Sequence, residues 1–141
     1  MSARLVPALL VVASLLSPAQ AQAKRYALLV GVSGYDSAAF GELKYTENDA
    51  EETAEVLGRS GYQTTILTSA RGEKDPRARP TAANFRERLG QILKRATRHD
   101  LVLVGLAGHG LQLTVTDPQT KKDREESFFC PCDARPRGTK D

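Results

Sequence analysis

The chain has 141 residues, 40% of them hydrophobic and 26% charged, with 20 basic against 17 acidic side chains. That composition supports one globular domain with an apolar core and excludes a disordered chain. Its only two cysteines, Cys130 and Cys132, stand too close together to staple a disulfide scaffold. Nine basic residues against three acidic ones fall between residues 71 and 98. The one aromatic residue there, Phe85, belongs to an apolar helix face, so the segment predicts a solvated surface and no nucleic-acid binding.

Arg4 followed by the apolar run Leu5 to Leu16, then Ala19-Gln20-Ala21 and Ala21-Gln22-Ala23, has the form of a secretory signal peptide over residues 1–23. This 12-residue stretch falls short of the ~20 apolar residues that span a bilayer. The expected product is an exported chain beginning near Gln22 or Lys24, with no membrane attachment after cleavage. Tyr26 to Val32 is a short continuous apolar run, the pattern of a strand covered on both faces. Thr46 is placed to cap a helix carrying Ala50, Ala54 and Leu57 on one face, with Gly61 to end it. A second strand is expected over Tyr62 to Leu67 and a polar loop over Ser69 to Pro80. Thr81 can open a helix with Phe85, Leu89, Ile92 and Leu93 on its apolar face. Leu101 to Ala107 predicts another fully buried strand, Thr116 to Glu126 a charged loop, and residues 135–141 an unstructured tail. Alternating strands and helices indicate an α/β fold with a mainly parallel sheet.

Gly108-His109-Gly110 directly follows the most apolar strand, where catalytic groups collect in parallel sheets. The glycines permit a sharp turn and leave the Gly110 amide open to a substrate oxygen. His109 is therefore a candidate general base, although a histidine hydrogen-bonded within a loop would account for it equally well. His99 precedes the strand, where an imidazole near a helix C-terminus is ordinary.

Taken together, Tyr26 to Val32 leading into Gly34-Tyr35, Leu43 before Glu47-Asn48-Asp49-Ala50, Leu57 with Gly61-Tyr62, and Ala107-Gly108-His109-Gly110 resemble the large-subunit region of bacterial caspase-like peptidases and metacaspases. The match extends over about Arg25 to Ala134 and implies a three-layer caspase-like fold spanning residues 24–134. It implies a cysteine-type endopeptidase with His109 as the base of a Cys-His dyad and Gly110 as an oxyanion-hole amide. It implies a protein or peptide substrate, with Asp49 helping to hold Arg or Lys at P1. Thr46-x-x-Asp49 is also a helix-capping arrangement, which would explain Asp49 by itself. No cofactor or metal is implied, and calcium dependence stays open.

The caspase nucleophile follows its histidine by ~50 residues. Cys130 and Cys132 follow His109 by only 21 and 23. They match apolar positions on a strand that family members carry soon after Gly-His-Gly. The expectation is an incomplete domain, its nucleophile and last strands lying beyond Asp141 and this chain inactive as it stands. Three alternatives remain: a caspase-like binding module without catalysis, a nucleophile moved to Cys132, and a thiol-redox role for Cys130-Pro131-Cys132. The last lacks an evident helix start or basic neighbour to lower a thiol pKa. A dinucleotide site is weaker, because Gly31-Val32-Ser33-Gly34 lacks the G-x-G-x-x-G spacing.

Overall fold

The structure, a computed structural model, describes residues 22–135. The leader expected over residues 1–23 falls outside them but for its last two residues, as does the tail after Arg135. Strand β1 (Arg25–Gly31) is central, flanked by the parallel strands β2 (Gln63–Thr68) and β3 (Leu101–Ala107) in the order β2-β1-β3. Every residue of β1 after Arg25 is buried. Its continuous apolar run follows from this position, with both edges paired and both faces covered.

The two faces pack against different helices. Leu29 meets Ala50 and Ala54 of α1 (Thr46–Arg59), while Tyr26, Leu28 and Val30 join Ile92 of α3 (Ala82–Arg95), with Phe85 and Leu89 packed alongside. The result is a helix–sheet–helix sandwich. Leu28 is fully buried, so its truncation to alanine would cost about 2–5 kcal/mol. Thr81 caps α3 as expected, its side chain accepting the Asn84 N–H. Gly61 ends α1 with φ 84°, and the Tyr62 N–H donates to the Leu57 carbonyl. That bond across a left-handed glycine is a Schellman closure, which takes Tyr62 into the cap and delays β2 to Gln63.

Several expectations are corrected. Ser69 to Pro80 is not a plain loop: Thr68 caps the short helix α2 (Ser69–Lys74), and Asp75 caps a 3-10 turn over Pro76–Ala78. Thr116 to Glu126 is a loop only over Asp117 to Lys122, its two ends belonging to strands. β4 (Gly110–Thr116) and β5 (Asp123–Phe129) pair antiparallel as a hairpin, its polar residues facing solvent and its turn lying between Asp117 and Lys122. β3 is not fully buried, since Leu101, Val104 and Leu106 are 51%, 40% and 46% exposed. Among the described residues β3 is one of the sheet's two outer strands, so its apolar side chains have a neighbouring strand on one flank only. Leu93 is likewise exposed, because the sheet-facing stripe of α3 is centred on Phe85, Leu89 and Ile92.

Candidate functional site

The order β2-β1-β3 makes the chain leave β1 toward one side and return on the other. Loops leaving the carboxyl ends of β1 and β3 therefore diverge from adjacent strands and leave a crevice between them. Residues after β1 supply Tyr35, Phe40 and Gly41, and residues after β3 supply Gly108, His109 and Gly110. Spacing in the sequence separates these two groups by about seventy positions, yet they meet here.

His109 is half-buried and held at three polar atoms. Its backbone N–H donates to the Tyr35 hydroxyl at 2.7 Å, its carbonyl accepts the Cys130 N–H at 2.9 Å, and its Nε2 lies 2.9 Å from the Gly41 carbonyl. The ring stacks on Phe40 at 5.6 Å and tilts against Tyr35 at 5.2 Å. A carbonyl can only accept, so the bond to Gly41 requires the proton of a neutral imidazole to sit on Nε2. Nδ1 is then the lone-pair nitrogen, the atom able to take a proton.

Gly110 starts β4, and the hairpin register decides where its amide points. The Cys130 N–H bonds to the His109 carbonyl, which makes 109 and 130 the bonded pair. Bonded and non-bonded pairs alternate along an antiparallel ladder, so Gly110, opposite Phe129, directs its N–H away from β5. Among the described residues this N–H has no partner, and it stands one residue from the imidazole.

Both cysteines are buried, as their apolar reading implied, but they follow β5 rather than lying within it. Pro131 between them has no N–H to continue a ladder. The backbone of this segment ties three parts of the site together: Cys130 N–H to the His109 carbonyl, Cys132 N–H to the Pro80 carbonyl, and the Asp36 N–H to the Cys132 carbonyl. Burial pushes the Cys130 thiol above its ordinary value and the Cys132 thiol up to about 11. Cys132 is only 1% exposed even though it borders a surface cleft with Tyr35, Asp36, Glu73 and Arg79. Neither thiol is presented as a thiolate.

Asp49 is exposed on the first turn of α1. It borders a cavity of about 190 Å³ between α1 and β3 whose other walls include Leu29, Ala50, Thr53, Leu106 and Ala107. Asp49 is the one charged residue among those walls, and Ala107 stands two residues before His109. The capping role expected of Thr46 is not found. α1 begins at Thr46 itself, no side chain caps it, and the Thr46 hydroxyl donates to the Val32 carbonyl. The side chain is drawn to the end of β1 because the helix starts directly above it.

Glu47, not singled out from the sequence, is the most engaged carboxylate nearby. It accepts the Ser33 hydroxyl at 2.5 Å, the Ser69 N–H at 2.9 Å and the Ala70 N–H at 3.2 Å, joining the ends of β1 and β2. Burial pushes its carboxyl up, but these donors together outweigh that and hold it below the usual carboxylate range. Its partners lie 14 to 23 positions away, so no local motif marks it. His99 is exposed, and its ring accepts from its neighbour Arg98. Among the described residues, no group of three or more His, Cys, Asp or Glu side chains is placed to hold a metal ion.

A search of curated proteins finds no match. Among solved structures, the chain is similar to protein GSU0716 from Geobacter sulfurreducens, at 25% identity and a TM-score of 0.62, over 78% of this chain and 40% of that one. The chain thus spans less than half the length of that relative. The family model described as metacaspase, peptidase C14 domain matches residues 24–139, most of the chain. With the caspase-like α/β sandwich in place and that match running through His109, the chain belongs to the metacaspase, peptidase C14 domain family.

Proposed function

We propose that this chain supplies the general base and part of the oxyanion hole of a cysteine-type endopeptidase. The observation that supports it best is the imidazole of His109, held by Gly41 so that Nδ1 is its proton acceptor, beside the outward N–H of Gly110. In that reading Nδ1 removes the proton of a cysteine thiol and the thiolate attacks a peptide carbonyl. The Gly110 N–H stabilises the oxyanion, and the imidazolium returns its proton to the leaving amine. The thiol comes from outside the described residues, because Cys130 and Cys132 are buried and shifted away from thiolate.

The substrate proposed is a protein or peptide with Arg or Lys at P1. Its long cationic side chain would enter the cavity under Asp49, apolar walls packing the stem and the carboxylate meeting the charge. At about 190 Å³ the cavity is below the ~300 Å³ at which drug-sized ligand sites begin, and a single side chain is the scale it suits. The site of action proposed is outside the cytoplasm, after removal of the apolar leader.

The test uses a form of the protein that carries the nucleophilic thiol, with peptide reporters ending in Arg, Lys or Asp. His109→Ala should lower kcat/KM on the preferred reporter by roughly 10³-fold or more, and near-normal turnover would remove His109 from the chemistry. Asp49→Asn should erode the preference for Arg and Lys, whereas an Asp49 that serves only α1 would leave selectivity unchanged. The 141-residue chain alone should show no turnover. Turnover abolished by Cys132→Ala and His109→Ala, but surviving Cys130→Ala, would make Cys132 the nucleophile.

A further inference from the structure

Of the groups around His109, Tyr35 has no role in the chemistry above, yet it is held at several points. Its ring packs against the apolar core formed by Tyr26, Leu28 and Val30, and lies 4.9 Å from the ring of Phe40. The next residue, Asp36, is pinned by its N–H to the Cys132 carbonyl at 2.8 Å. The hydroxyl therefore sits on a rigid support, and it accepts the His109 N–H at 2.7 Å. In a continuing hairpin ladder that N–H would have bonded the Cys130 carbonyl, completing the pair begun by the Cys130 N–H. Here the phenol replaces the strand as its partner.

Gly108 makes this contact possible. A Cβ at position 108 would stand 2.9 Å from the Tyr35 hydroxyl oxygen and 2.9 Å from the Phe129 ring, closer than real Cβ contacts come. The absence of a side chain before the histidine thus lets a phenol reach the amide behind it. Burial holds the Tyr35 phenol above its ordinary value, against the opposing effect of the His109 bond, so the hydroxyl is neutral around pH 7.

We propose that Tyr35 is a positioning residue for His109: its hydroxyl fixes the backbone N–H, and through it the direction in which the imidazole presents Nδ1. The inference rests on reading His109 as the base. With the N–H held by Tyr35 and the carbonyl by Cys130, the peptide planes on both sides of the His109 Cα are set, so the Cα–Cβ bond is aimed. Gly41 and Phe40 then have only the side-chain torsions left to fix. Without the phenol, the Gly108-His109 peptide can rotate, and the bond from Nε2 to Gly41 loses its alignment.

The experiment uses the 15N-labelled chain and reads His109 directly by amide hydrogen exchange and by the 15N shifts of the imidazole, with no peptide cleavage involved. A failure of the endopeptidase reading and a failure of this one are therefore distinguishable. In the unaltered chain the His109 amide should be protected and the neutral ring held as the Nε2–H tautomer. Tyr35→Phe removes the acceptor and Gly108→Ala displaces it. Each should speed His109 amide exchange by about tenfold and turn the imidazole into a tautomer mixture. Phe40→Leu, by contrast, should loosen the ring while leaving the amide protected. A folded Tyr35→Phe chain that keeps the parent's exchange rate or its single tautomer overturns the proposal. Should neither Tyr35→Phe nor Gly108→Ala fold, the parent decides. A protected His109 amide in close contact with the Tyr35 ring protons upholds the proposal, and an amide exchanging as fast as a free loop overturns it.

Discussion

Replacing Glu47 by glutamine tests whether one carboxylate ties the ends of β1 and β2 together. The carboxylate now receives three hydrogen bonds, from Ser33 and Ser69 at Oε1 and from Ala70 at Oε2. Hydrogen bonds to a charged group are worth about 1.5–3 kcal/mol each and neutral ones about 0.5–1.5. Glutamine preserves shape but has one acceptor oxygen, so Ser33 and Ser69 keep a weakened partner while an NH2 group faces the Ala70 N–H. Ala70 is exposed and its N–H can turn to water, which places the expected loss near the low end, about 2 kcal/mol. That corresponds to a fall in Tm of roughly 6–10 °C for a domain of this size. The pH dependence gives an independent check. Because the folded-state pKa of Glu47 is depressed, its contribution is fully present above the unfolded value of about 4.3 and is lost as pH falls through the folded value. Urea titrations of both proteins at pH 7 and at pH 3 should show a gap at the higher pH that narrows at the lower. Equal stability at pH 7, or a gap that persists undiminished through acid, would refute the reasoning.

Two further outcomes are expected. Alkylation of Cys132 by iodoacetamide at pH 8 should be at least on the order of a hundredfold slower in the native protein than in the unfolded one, because burial both covers the thiol and lifts it to about 11; equal rates would mean that the segment opens freely. Export should leave a mature N-terminus between Gln22 and Lys24, which sequencing of the protein recovered from its host decides; Met1 or Ser2 on the recovered protein would contradict it.

What the sequence determined by itself was whatever local periodicity and turn chemistry encode. The apolar run of β1, the Ala50 and Ala54 stripe, the Thr81 cap and the Gly61 ending all rest on interactions within a few residues, and each stands in the structure where its pattern implied. His109 was legible because a Gly-His-Gly turn after a buried strand is itself a local signal, and the family resemblance rested on the order of such signals. Tertiary structure decided the rest. Thr46 had two uses for its hydroxyl, and only the position of α1 over the end of β1 selects the Val32 carbonyl. β3 looked buried from composition, yet burial depends on what lies beside a strand, and β3 is an outer strand of the sheet among the described residues. The charged stretch after Thr116 reads as loop because strand pairing across a hairpin can hold polar residues with one face in solvent. Glu47 and Tyr35 act on partners as far as 23 and 74 positions away. Nothing in a window of sequence records such distances, because hydrogen bonds of that range exist only once the sheet has brought the ends of its strands together.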